Sequence, residues 1–409
     1  MNCNRFCGVI SMGNEKKHPE IRFDGFAESW EQRGLTDVLS PTVGNNTLSR
    51  ADLNYDGGEV KNVHYGDVLI KFGSFVDALN DKIPFITNGT LADYKSNLLQ
   101  DGDIIFADTA EDETTGKVAE ITNAKEANIV SGLHTIVYRP KRKFADCFMG
   151  YYLNTHAYRY QLLPLMQGAK VLSLGRSHLA TTFVRYPSSL DEQAIIADFF
   201  RNLDDTIALK KQQHEQTSNI KKAMLRKMFP KREADVPEIR FQGFYGTWEE
   251  KILGDIFINH PFRAYIAVPI SNGKYMIIQQ GDNPIIGYGD GNIFLEYADV
   301  VLFGDHTLSL YKPEKPFLIA TDGVKILSGL DLSGQFLYVL LGRYMPKTQG
   351  YKRHFTIVKE ETVMLPPTNE EKNAIGDYFR NLDILITAQC EELEKLQNIK
   401  KACLSKMFV

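Results

Sequence analysis

The string DEQAIIADFFRNLD, Asp191 to Asp204, recurs as EEKNAIGDYFRNLD, Glu370 to Asp383, and NIKKAMLRKMF, Asn219 to Phe229, recurs as NIKKACLSKMF, Asn398 to Phe408. Both pairs keep an offset of 179 residues, so the element they bound is duplicated without an insertion. Its apolar positions step by three and four. In the first copy Ile196, Phe200, Leu203 and Ile207 lead on to Lys210, His214 and Thr217; in the second, Ile375, Phe379, Leu382 and Ile386 lead on to Gln389, Leu393 and Leu396. That spacing lines one face of a helix. Ser189 or Asp191 can cap the first copy, acidic side chains occupy its first turn, and Lys221, Lys222, Arg226 and Lys227 occupy its last, which is the polarity a helix dipole favours. Pro230 stops it, and Asn369 with Glu370 and Glu371 opens the second. From Asp198 to Met228 such a helix reaches about 46 Å, long for a compact domain. The expectation is an antiparallel pair standing clear of the rest as a spacer; the competing reading is two ordinary core helices in separate domains.

A second duplication lies upstream of each helix. PEIRFDGFAESWEQ, Pro19 to Gln32, matches PEIRFQGFYGTWEE, Pro237 to Glu250, at nine of 14 positions and an offset of 218, and it holds both Trp of the chain, Trp30 and Trp248. Between cassette and helix the two halves diverge, and the bodies differ in length by 39 residues. Two similar frames therefore carry unlike inserts, a plan for one task performed twice on different targets. The bodies are expected to be mixed β with short helices: Asp67 to Phe72, Asp103 to Ala107 and Asp299 to Phe303 are short apolar runs, Asp56 to Gly58 and Gly287 to Gly291 supply turns, and Met149 to Met166 has a helical, aromatic-rich pattern. The fold class is thus mixed α/β (α+β). Its expected segments are an N-terminal extension (1–18), a first body (19–189), a first spacer helix (190–230), a linker (231–236), a second body (237–368) and a second spacer helix (369–409).

Composition narrows the class further. The chain has 409 residues, 43% apolar and 24% charged, with a net charge of −4, the balance of a globular protein of two or three domains. No run of about 18 apolar residues exists, and the apolar stretch Cys7 to Met12 is too short for a signal peptide, so a cytoplasmic location with no membrane partner is expected. The five Cys are scattered, without metal-site spacing, so reduced thiols and no bound metal are expected.

The strings PEIRFDGF…W, GDVLI, DGDIIFADTAED…GK, SGLHTIVYRPK, LDEQAIIADFFRNLDDTI and NIKKAMLRKMFP, with the second set through NLDILI and NIKKACLSKMF, resemble the specificity (S) subunits of type I restriction-modification systems. The resemblance covers residues 19–409. It implies two target recognition domains, each reading one half of a bipartite double-stranded DNA sequence, related by a pseudo-twofold repeat. It also implies that the helices set the half-site spacing and dock two methylase (M) subunits, which restriction/translocase (R) subunits can join. S-adenosylmethionine, ATP and Mg²⁺ would then belong to the partners and not to this non-catalytic chain. Two departures stand out: residues 1–18 precede the usual start, with Met12 an alternative initiator, and the second body has DGVKILSG (Asp322 to Gly329) instead of a GLHTIVYRP string.

DNA binding needs cations for phosphates and polar side chains for base edges. The stretch Arg139 to Arg185 carries a net charge of +7 and supplies Arg139, Lys141, Arg142, Lys143, Lys170, Ser173, Arg176 and His178 as candidates. In the second body Arg343, Lys347, Lys352, Arg353 and His354, interleaved with Tyr344, Gln349 and Tyr351, lie at the corresponding place before the helix. A basic run is more often a solvated face; the matched placement favours DNA. The acidic stretch Asp101 to Glu126 is expected to face away from phosphate. Helix packing is assigned to Ile196, Phe200, Leu203, Ile207, Phe379, Leu382, Ile386, Leu393 and Leu396. Catalytic motifs are weak. Asp56, Glu59 and Lys61 resemble a metal-dependent nuclease cluster without its usual spacing, Leu365 to Thr368 lacks both ends of an amino-methyltransferase string, and Gly287 to Gly291 does not precede a helix. The alternatives are a stand-alone nuclease or methyltransferase with fused recognition domains, and a protein scaffold with no DNA role.

Overall fold

The structure is a computed structural model that describes residues 18–231, 233–348, 350 and 352–409. The alternative start at Met12, Cys3, Cys7, Gln349 and Tyr351 lie outside the described residues. Two compact units divide the chain: the described residues up to Ala208 together with Glu394–Val409, and Leu209–Leu393. The division falls inside the long helices, Leu190–Lys227 and Asn369–Lys406, so each unit contains a body, the start of the helix that follows it and the end of the other helix.

In the first unit a five-stranded sheet runs in the order Leu39–Ser40, Thr135–Pro140, Ile104–Ala107, Val118–Thr122, Phe75–Asp77, antiparallel except for the last pair. In the second unit Phe257–His260, Val324–Gly329, Val300–Gly304 and Leu310–Tyr311 form an antiparallel sheet of the same plan. The strings GLHTIVYRP and DGVKILSG, unlike in sequence, therefore supply the same strand: each runs for six residues, antiparallel to the apolar strand Ile104–Ala107 or Val300–Gly304. The cassettes correspond too, because Glu31–Gly34 pairs with Phe183–Tyr186 and Glu249–Ile252 pairs with Thr362–Leu365.

Each long helix is fixed at both ends by a cassette. Ser189 Oγ accepts from Glu192 N at 3.3 Å, and Thr368 Oγ1 accepts from Glu371 N at 3.2 Å, so Thr368 caps the second helix where Asn369 was expected. The Glu of each S/T-x-x-E start turns to the cassette. Arg22 Nε and Nη2 donate to Glu192 Oε1 and Oε2 at 2.7 and 2.8 Å, and Arg240 donates to both oxygens of Glu371 at 2.8 Å. Both carboxylates are fully buried. The residue just before each Arg ties down the end of the other helix copy: Ile21 N donates to Lys406 O at 3.0 Å, and Ile239 N donates to Lys227 O at 2.9 Å. Beyond these helix ends Phe408 stacks on Phe200 (5.6 Å) and meets Trp30 edge-on (6.2 Å), while Phe229 meets Trp248 edge-on at 5.5 Å.

The helices therefore do not stand wholly clear of the bodies. Ile196, Phe200 and Phe379 are body-core residues, buried with Trp30 or Trp248 in clusters that also take in the end of the other helix copy. Leu203, Ile207, Leu382, Ile386, Leu393 and Leu396 are half-buried, as expected for a two-helix pair with one face in solvent. Ion pairs set its direction: Lys210–Glu392 at 2.9 Å and Lys221–Asp383 in the second unit run antiparallel, and Asp204 meets Lys400 in the first. Local readings also change. Asp67 to Phe72 is not a strand, because Tyr65–Ile70 is a helix capped by the His64 ring, with Asp67 held by Arg50 at 2.9 and 3.1 Å and Ile70 88% exposed. Met149 to Met166 breaks into Phe148–Tyr152, His156–Arg159 and a single 3₁₀ turn, and Gly287 and Gly289 lie within the strand Ile285–Gly289.

Removing one partner of a buried ion pair strands a charge and costs about 3–5 kcal/mol, whereas replacing both by apolar groups is close to neutral. Arg22→Ala should therefore lower the stability of the first unit by that amount, and Arg22→Met with Glu192→Leu by much less. Urea unfolding followed by Trp30 fluorescence in a Trp248→Phe background measures both; equal losses would show that the pair does not act as one unit.

Candidate nucleic-acid interface

The central antiparallel strand pair of each unit ends in the same backbone stitch. Past Ala107, Asp108 N donates to His134 O at 3.1 Å and Asp108 O accepts from Leu174 N at 2.8 Å. Past Gly304, Asp305 N donates to Gly323 O at 2.8 Å and Asp305 O accepts from His354 N at 2.8 Å. Leu174 and His354 are thus equivalent, and each is followed by a short helix, Arg176–Leu179 or Phe355–Glu360, and then by the return strand. Stretches matched only by charge in the sequence are matched here by main-chain bonds.

On this edge of the first unit lie Lys170, Ser173, Arg176 and His178. The first three are exposed, Ser173 sits in a two-residue strand against Thr109–Ala110, and the Arg176 guanidinium makes no hydrogen bond or ion pair with a described residue. His178 is half-buried, and its Nδ1 has no partner among the described residues. On the second unit's edge Lys352 and Arg353 are exposed, and Arg353 Nη2 approaches Asp322 Oδ2 at 3.6 Å with both side chains about two-thirds exposed. Lys347 is exposed on the segment leading to them.

Other candidates are spent elsewhere. Arg139 Nε and Nη2 donate to Asp103 Oδ1 and Oδ2 at 2.8 and 2.7 Å, and Asp103 is fully buried, so this arginine neutralises a core carboxylate instead of offering itself to phosphate. Arg142 donates to the Tyr186 hydroxyl at 3.0 Å and lies over its ring; Lys141 Nζ donates to Thr36 O at 2.6 Å. Lys143 is exposed, but Lys141 to Lys143 follow the far end of Thr135–Pro140, about 20 Å of strand from the stitched edge. His354 is fully buried, its N–H and Nδ1 both directed at Asp305 O, so it shapes the edge and does not face solvent. Arg343 ends the helix Gly334–Arg343 over the Tyr344 ring at 5.2 Å, and Tyr344 packs on Phe229 at 6.0 Å, which places this arginine beside the cassette core.

The acidic stretch does not form one outward face. Asp103 pairs with Arg139, Asp101 Oδ1 accepts from Ala124 N at 2.6 Å, and Glu120 is buried against the N–H groups of Cys147 and Gly150 at 2.7 and 2.8 Å, where burial pushes its carboxyl up to about 8. The trio resembling a nuclease cluster is also in structural use: Glu59 Oε2 accepts from Leu91 N at 2.8 Å and Lys61 Nζ donates to Ala78 O at 2.6 Å. Among the described residues no group of three or more His, Cys, Asp or Glu is placed to hold a metal ion, and no helix is long and apolar enough to cross a membrane. Sequence reasoning did not single out His134 as a site residue. Its Nδ1 lies 3.3 Å from Asp108 Oδ1 at the end of the central strand pair, a pairing that only the fold brings about.

Residues 28–218 match the family model described as the type I restriction modification DNA specificity domain. A protein of Methanocaldococcus jannaschii, whose description names it a type I restriction enzyme MjaX specificity subunit, is 23% identical over 98% of this chain and 97% of its own length. Among solved structures, the S subunit of a type I restriction-modification system from M. genitalium superposes with a TM-score of 0.65 at 15% identity, covering 96% of this chain and 99% of that one. A chain from a study of complex assembly and conformational transition in a type I system gives 0.50 at 18% identity, covering 92% and 96%. The structural likenesses establish a shared fold, and the family model matches the first body and the start of its helix, residues 28–218, to the type I restriction modification DNA specificity domain.

Proposed function

We propose that each body, 19–189 and 237–368, reads one half of a bipartite double-stranded DNA target through its stitched edge. In this reading Lys170, Ser173 and Arg176 serve one half-site, and Lys347, Lys352 and Arg353 serve the other. The observation that supports it most is that one main-chain frame, closed at Asp108 and Asp305, presents different exposed side chains in the two units. Sharing the frame and varying the tip is what two half-sites of unlike sequence require, since phosphate contacts position a protein and base contacts specify it. The long helices join the two readers, set the spacing of the half-sites and dock two methylase subunits. Those partners carry S-adenosylmethionine, and restriction/translocase subunits using ATP and Mg²⁺ complete the cytoplasmic assembly.

Cation replacements on the edge and off it should differ in kind. In the assembled complex, Arg353→Ala or Arg176→Ala should either cost about 1–3 kcal/mol at one base position or flatten the salt dependence of binding by roughly one unit. Arg139→Ala should instead destabilise the first unit by leaving Asp103 buried and unpaired, with the salt slope of the folded complex unchanged. Salt titrations of DNA affinity combined with urea unfolding separate these; an unaltered slope and motif for both edge variants would remove the edge from the DNA interface.

Exchange of residues 31–189 for the matching segment of a relative should change one half of the methylated motif and leave the other half intact. Methylation-motif sequencing in cells gives the answer directly. A change in both halves would mean that the bodies read DNA jointly.

The chain alone, supplied with Mg²⁺ or S-adenosylmethionine, should neither cut nor methylate DNA. Turnover by the pure chain that disappears in Glu59→Ala would instead support the stand-alone nuclease.

A further inference from the structure

His134 lies at the end of the first unit's central strand pair, immediately before the strand Thr135–Pro140. Its backbone is left-handed at φ 55, a conformation that a non-glycine side chain adopts at a cost and that concentrates where side-chain placement matters for function. The ring is held from two sides. Tyr65 meets it edge-on at 5.3 Å, and Asp108 Oδ1, buried and without a hydrogen bond from any described residue, stands 3.3 Å from Nδ1. The side chain is nevertheless 47% exposed. His134 O and Leu174 N both bond the Asp108 backbone, so His134 and the residues around Leu174 are joined at the same end of the strand pair. At the equivalent place the second unit has Gly323, where even a Cβ would meet Gln280 Nε2 at 2.5 Å. The first unit alone presents a side chain there.

A carboxylate oxygen 3.3 Å from Nδ1 favours the tautomer that carries its proton on Nδ1. In the neutral ring this leaves Nε2 as a hydrogen-bond acceptor on a half-exposed side chain. The complementary group on a DNA major-groove edge is an exocyclic amino group, adenine N6 or cytosine N4. We propose that His134 is a specificity-determining residue of the first unit, accepting from a base amino group at one position of its half-site, with Asp108 as the positioning residue that fixes the tautomer. The proposal rests on the reading that this edge meets DNA.

The experiment uses the complete methylase complex. His134→Gly suits the left-handed backbone, so the fold should survive, and unchanged urea unfolding checks this. Methylation-motif sequencing should then show one position in one half-site, an adenine or cytosine in the wild type, losing roughly tenfold in preference, with the other half-site unaltered. Asp108→Asn keeps the backbone stitch and should degrade that same position and no other. An unchanged motif in His134→Gly overturns the proposal, as does loss confined to a base without an amino group. A uniform loss of affinity with the motif intact would make His134 a phosphate contact and overturn it too. Lys170→Gln and Arg176→Gln in parallel keep the outcomes apart: if they weaken DNA binding while His134→Gly leaves the motif intact, the edge reading stands and only this inference fails.

Discussion

The bidentate pair between a cassette arginine and the glutamate at the third position of a long helix organises each unit. Arg22–Glu192 and Arg240–Glu371 are buried, so neither charge can be left without the other. The pair fixes where the helix starts relative to the body. One residue away, the N–H of Ile21 or Ile239 takes a carbonyl at the end of the other helix copy, and the aromatic residue just past that end fills the space beside Trp30 or Trp248. Three short-range contacts thus hold two helix ends and a sheet at a single point, and the cassette earns its strict duplication because all three partners must be met at once.

With the frame secured there, variation can accumulate at the far end of the central strand pair. The strands Thr135–Pro140 and Val324–Gly329 keep the same length and the same antiparallel partner although hardly a side chain is shared. Backbone hydrogen bonds make that correspondence, and they are indifferent to side-chain identity. What faces outward from the tip, His134 with Ser173 and Arg176 in one unit and Arg353 with Asp322 in the other, is therefore free to differ without disturbing the scaffold.

Charge proved the least transferable signal. Arg139 and Arg176 look alike in a basic run, but Arg139 is consumed by Asp103, 36 residues away, while Arg176 has no such partner among the described residues. His354 looked like a polar contact and is instead enclosed by Asp305, 49 residues away. Short apolar runs were ambiguous for a related reason: Asp67 to Phe72 suits a strand by composition, yet the His64 cap and the Arg50–Asp67 pair, neither implied by the run itself, make it a helix.

The sequence by itself determined the duplication, the two long helices with their polarity, the mixed α/β bodies and the family resemblance, because these depend on periodicity and on strings of neighbouring residues. Tertiary structure alone decided that the helix ends belong to the body cores, that the two dissimilar strings are one strand, and which cations remain free at an edge. Those outcomes depend on partners far apart in the chain, such as Arg22 and Glu192 at a separation of 170 residues, and a charge or a carbonyl acquires its role only when folding brings such a partner within hydrogen-bonding distance.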